Sequence, residues 1–115
     1  MTSLILERLA PLKIASLNCM NLSNTYEDIV NDETLMESSI ITLSETWLSD
    51  GMELNLTGYI SHFNSVGPGK GIAVYIKDKK FKVTIDIKEE KMQITKLESN
   101  DLHLITVYRS EQGSY

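Results

Sequence analysis

The sequence has one cysteine, one tryptophan, two histidines and two prolines in 115 residues. A lone Cys19 excludes an intramolecular disulfide framework and any cysteine-based zinc site. It follows a short apolar run and reads as a small buried residue rather than a reactive thiol. His62 and His103 lie far apart and form no metal-ligand spacing. Long apolar runs are missing too; the longest are short stretches such as Ile40-Ile41 and Ile72-Ala73-Val74. A transmembrane helix needs ~20 mostly apolar residues, so none fits. The N-terminal stretch lacks the basic start and sustained apolar segment of a signal peptide, and an intracellular location is expected. Positive charge is scarce: 11 Lys plus Arg stand against 16 Asp plus Glu, for a net charge of −5 and a pI near 4.9. That balance argues against gripping nucleic acid by bulk positive charge. It leaves room for an enzyme that meets phosphate through a bound cation, because an acidic site is what holds the metal.

What is present fits one globular domain: 42% of residues are hydrophobic and 23% charged. No internal repeat or Pro/Ser/Gly-rich linker divides residues 1–115, so they read as a single domain or part of one, with residues 1–11 as a lead-in. Leu12 to Asn18 predicts a first strand, apolar on both faces and hence central and doubly covered. Asn24 and Glu27 resemble a capping box, placing a helix start at Asn24. Tyr26, Ile29 and Val30 then share a helical face, with Glu27 and Asp28 toward solvent. Leu35 and Met36 offer a further apolar contact, and Ile40 to Ser44 predicts a second buried strand. A helix between two strands implies a parallel βαβ crossover.

Strands are also expected at Tyr59–Phe63, Gly71–Ile76, Lys79–Ile87, Lys91–Leu97 and Leu102–Tyr108 on short turns, which suits antiparallel hairpins. Phe81, Val83 and Ile85 are expected on one face, as are Met92, Ile94 and the stem of Lys96. The fold class is therefore α/β (α+β) with mixed, largely antiparallel sheets.

Both early strands end in a polar residue, Asn18 after the first and Glu45 after the second. In open α/β sheets ligands collect at the carboxyl ends of strands. Two parallel neighbours would bring the Asn18 amide and the Glu45 carboxylate to one edge, a hard-oxygen pair suited to magnesium or manganese. Trp47, two residues on, reads as core packing under the loop. Gly67-Pro68-Gly69-Lys70-Gly71 lacks the spacing and the Ser or Thr of a phosphate loop and reads as a turn. Tyr108 and Arg109 place a hydroxyl beside a guanidinium, a pair able to hold a phosphodiester. Lys77, Lys79, Lys80 and Lys82 form a basic run that reads as a solvated edge.

Together these segments resemble the endonuclease/exonuclease/phosphatase superfamily, and within it the apurinic-type endonuclease domains of mobile elements such as non-LTR retrotransposons. The match rests on a first strand ending in Asn18, on Glu45-Thr46-Trp47-Leu48 after the second, on Gly69-Lys70-Gly71-Ile72-Ala73-Val74, and on Val107-Tyr108-Arg109. The resemblance implies a four-layered α/β sandwich and magnesium-dependent (or manganese-dependent) hydrolysis of a DNA phosphodiester, with the nucleus as the location if the chain derives from a mobile element. It implies Glu45 as the metal ligand, Asn18 orienting the metal or the phosphate, and Tyr108 and Arg109 at the phosphate. The family's Gly-Asp-x-Asn and Ser-Asp-His segments are absent from this sequence. The resemblance therefore implies the leading half of a domain, inactive alone and self-associating through exposed sheet faces. The alternatives are a phosphatase of the same superfamily acting on lipid or small phosphate esters, and a non-catalytic β-rich interaction module.

Overall fold

The computed structural model describes residues 12–49 and 51–109. The expected lead-in over residues 1–11 lies outside them. The chain runs β1 (Ile14–Asn18), α1 (Leu22–Val30), α2 (Glu33–Met36), β2 (Ile40–Ser44), β3 (Ile60–Asn64), β4 (Ile72–Ile76), β5 (Lys82–Lys88), β6 (Met92–Glu98) and β7 (His103–Arg109). The first four strands form one sheet in the order β1-β2-β4-β3, and the last three a second sheet in the order β5-β6-β7. Among the described strands only β1 and β2 pair in parallel, in register from Ile14 opposite Ile40 to Asn18 opposite Ser44. The other pairs are antiparallel, as short connections require. The mixed α+β class with two sheets is thus as the sequence indicates, and no described helix is long and apolar enough to cross a membrane.

The centre of the first sheet is apolar on both faces. Every residue of β4 is buried, and all of β2 up to Leu43. Because side chains alternate along a strand, Ile41, Leu43, Ala73 and Tyr75 pack with Leu22 and Ile29 of α1 on one face. Ile40, Ile72, Val74 and Ile76 pack with Phe81 and Leu97 against the second sheet on the other. The described residues thus build three layers: helices, first sheet, second sheet.

Several local expectations are corrected. β1 is an edge strand rather than a central one: among the described residues it pairs with β2 alone, and Leu12, Ile14 and Leu17 are exposed. The helix starts at Leu22, because Asn21 is the cap and its side chain accepts from the Ser23 amide. The inward stripe of α1 is accordingly Leu22, Tyr26 and Ile29, and Val30 is exposed. In β5 the register shifts between Val83 and Ile85, so Ile85 leaves the face of Phe81 and Val83. Ile85, Ile87, Ile105 and Val107 then lie exposed on the outer face of the second sheet.

The facing inner surface carries polar groups beside its apolar ones. Asp86 Oδ1 accepts from Asn64 Nδ2 at 2.9 Å and from Thr95 Oγ1 at 2.8 Å. His62 joins the two sheets, with Nε2 3.1 Å from Asp86 Oδ2. This polar bridge fixes how the sheets face each other, and each buried member is costly to leave unpaired.

Candidate metal and phosphate site

The parallel pairing of β1 with β2 sets Asn18 beside Ser44, and Glu45 follows directly. Asn18 Nδ2 donates to Glu45 Oε2 at 2.8 Å, and Asn18 Oδ1 accepts from the Met20 amide at 3.2 Å. Both contacts fix the same amide orientation, nitrogen toward the carboxylate. Asn18 therefore aims Glu45, and one carboxylate oxygen is committed to that bond.

The loops around this pair are sewn together by backbone bonds. The Cys19 amide donates to Ser44 O at 3.0 Å, Asn21 to Glu45 O at 2.8 Å and Leu22 to Thr46 O at 2.9 Å. From the other side, the Trp47 amide donates to Lys70 O at 2.9 Å and the Gly67 amide to Leu48 O at 3.2 Å. Buried Cys19 donates its thiol to the Ser44 and Glu45 carbonyls, and burial pushes the thiol pKa up. That is a packing role, as the sequence suggests.

The backbone here is strained. Among the described residues, the non-glycine residues at positive φ are Met20 (46°), Asn21 (88°), Glu45 (55°) and Trp47 (61°). All four flank the carboxyl ends of β1 and β2. Asn tolerates this region; for Met, Glu and Trp it costs about 1–3 kcal/mol each, a strain that concentrates at functional sites.

The glycine-rich segment is a turn, with Gly67, Gly69 and Gly71 at positive φ. Gly71 is the tight one: a Cβ there would sit 2.6 Å from Thr46 Oγ1 and 3.3 Å from Asn64 O. Tyr108, on the inner face of β7, donates its hydroxyl to Gly69 O at 3.0 Å. It thereby ties the second sheet to the turn that holds Trp47. Arg109 is the last residue of β7. Asn18 and Glu45 are thus in direct contact, and Tyr108 reaches their loop through the glycine turn.

The basic run lies elsewhere. Lys77 follows Ile76, which pairs with Ile40 at the opposite end of the sheet. Trp47 corrects its sequence reading: it is 40% exposed, while Thr46 and Leu48 beside it are buried. Between two buried neighbours it takes the outward side of the alternation, and its backbone stands at positive φ. Sequence reasoning also missed Asn64, Asp86 and Thr95, since nothing in their spacing announces that two sheets will meet there.

Glu45 offers a hard oxygen donor half shielded from water, held by an amide that leaves its second oxygen open. That fits magnesium, which takes one or two carboxylates and keeps its waters. No group of three or more His, Cys, Asp or Glu side chains gathers among the described residues.

No protein-family profile and no curated protein sequence matches the chain. Solved structures do. An AP endonuclease from Archaeoglobus fulgidus superposes with a TM-score of 0.69 at 15% identity, over 85% of this chain and 41% of its own. The AP endonuclease LMAP from Leishmania major gives 0.59 at 14% identity, over 85% and 39%. TDP2 from D. rerio, complexed with single-strand DNA product, gives 0.56 at 15% identity, over 90% and 48%. The chain therefore shares the fold of these AP endonuclease and TDP2 structures. The chain spans about two fifths to one half of the length of these structures.

Proposed function

We propose that this chain is part of a divalent-metal-dependent DNA phosphodiesterase of the endonuclease type, from a mobile element. The observation that carries the reading is the Asn18–Glu45 contact of 2.8 Å at the carboxyl ends of the parallel strands. The neighbours with this fold include AP endonucleases and a TDP2 solved with single-strand DNA product. Glu45 holds the cation, magnesium or manganese, and Asn18 keeps the carboxylate aimed. A divalent cation there would polarise the phosphoryl oxygen and stabilise the leaving oxygen. Tyr108 supports the phosphate site from β7 through the glycine turn that its hydroxyl holds, and Arg109 ends the same strand.

The interaction-module alternative expects Asn18 and Glu45 apart, and their contact speaks against it. No general base is among the residues assigned, so no nicking is expected of these 115 residues by themselves. Self-association through the exposed sheet faces belongs to the same proposal, and sedimentation velocity reads it.

The test is manganese binding followed by electron paramagnetic resonance. Glu45→Gln should weaken binding about tenfold or more; equal affinity in wild type and Glu45→Gln overturns the metal assignment. Plasmid nicking supplies the second readout. General acid–base groups contribute about 10²–10⁴ in rate, so no nicking is expected. Nicking that disappears in Glu45→Ala would overturn the inactivity and leave the metal role standing.

A further inference from the structure

Trp47 has features that packing does not account for. It is the sole tryptophan and is 40% exposed between two buried neighbours. Its backbone is clamped at φ 61° by the 2.9 Å bond to Lys70 O. A tryptophan recruited for stability would be buried, and a loop needing positive φ would use glycine at lower cost. Here the chain accepts strain to present the largest aromatic surface to solvent, two residues from Glu45. Met20, also at positive φ and 68% exposed, stands on the loop that Asn21 and Leu22 bond to residues 45 and 46.

We infer that Trp47 is a stacking platform for an unpaired nucleobase of the DNA whose phosphate approaches Glu45. The inference rests on the nucleic-acid reading above and adds the means of recognition. With a net charge of −5, the protein gains nothing from bulk attraction to phosphates. Stacking is uncharged and tolerant of sequence, because every base has a flat face. A rigidly presented indole also loses little freedom on binding, which is what the clamped backbone provides.

A single tryptophan makes the test direct, since indole emission reports this position alone. The full chain is titrated, with magnesium, with a single-stranded ten-nucleotide DNA and with an abasic oligomer of the same length. Affinity is read separately by anisotropy of a labelled oligonucleotide. Base-bearing DNA should quench the emission and bind about tenfold more tightly than the abasic oligomer. Trp47→Ala should erase that tenfold difference, and Trp47→Phe should keep most of it, with denaturation midpoints confirming that both variants fold. Equal binding of the two oligomers by wild type, or an unchanged preference in Trp47→Ala, overturns the stacking role while leaving the metal-site reading intact. Failure of both oligomers to bind overturns the nucleic-acid reading and the stacking role together. Emission that shifts with protein concentration alone assigns the indole to a second copy of the chain and overturns the proposal.

Discussion

The two ends of the four-stranded sheet are built on opposite terms. At the end of Ile14, Ile40, Ile60 and Ile76, the open groups of the short helix are met by side chains. The carbonyls that end α2 receive the Tyr59 hydroxyl, 3.3 Å from Leu35 O and 3.2 Å from Met36 O, and Lys77 Nζ, 2.7 Å from Met36 O. Asp32 caps the start of α2, accepting from the Leu35 amide at 3.1 Å. Such partners are what helix ends need. At the end of Asn18, Ser44, Asn64 and Ile72 the chain bends through four non-glycine residues at positive φ, and Thr46 Oγ1 is buried without a partner among the described residues. One end is arranged for stability; the other carries strain around a carboxylate. Substitutions should therefore separate: stability without binding at the first end, both in opposition at the second.

The largest effect is expected at Gly71. Gly71→Ala meets both the contact with Thr46 and a φ of +105°, and should cost about 3 kcal/mol in urea unfolding. Gly69→Ala shares the positive φ, 75°, but no atom lies within 4 Å of its Cβ, and about 1 kcal/mol is expected. Equal losses would show that close approach is not what holds the glycine turn against the Glu45 loop.

The same contrast explains what the sequence made legible. β2 and β4 are read easily because apolar residues fill both faces of a buried strand, and Asn18 and Glu45 stand out in the sequence because each closes an apolar run. β1 looks the same in one dimension yet sits at an edge, since a strand's neighbours are not written in its own residues. The shift after Val83 reverses a side chain's face without any change of residue type. The Asp86 bridge was hidden for another reason: its members lie on three strands, and only the stacking of two sheets joins them.

A second effect belongs to the relaxed end. Tyr59→Phe removes a hydroxyl that donates to Ser38 O at 2.6 Å with the Leu35 and Met36 carbonyls close by, and should cost about 1–2 kcal/mol. Manganese binding at Glu45 should not change; if it does, the two ends are coupled. Burial pushes the hydroxyl pKa of Tyr59 up, and that of Tyr75 further. Both are neutral in either state below the ordinary tyrosine range, so their contribution is complete there. As pH rises past 10 the unfolded chain ionises first, and stability should fall. Tyr75→Phe should flatten that decline in denaturation midpoint; an unaltered slope would place its cause elsewhere.

Strain at the other end predicts a gain. Glu45→Gly relieves a φ of 55° and should raise unfolding stability by about 1 kcal/mol while abolishing manganese binding. Loss of both would mean that the carboxylate, held by Asn18, supports the loop more than the backbone resists it.

The smallest effect tests whether the basic run takes part in recognition. Lys79 and Lys80 are exposed in the turn after β4, at the end of the sheet away from Glu45. Exposed charges of this kind change stability by no more than about 0.5 kcal/mol when substituted. Lys79→Glu with Lys80→Glu should therefore leave the melt unchanged. It should also leave oligonucleotide affinity at 150 mM salt within about twofold, because beyond a Debye length of about 8 Å their charge is screened from the site. A tenfold loss would place a phosphate contact at the relaxed end, and the division of labour between the two ends would have to be redrawn.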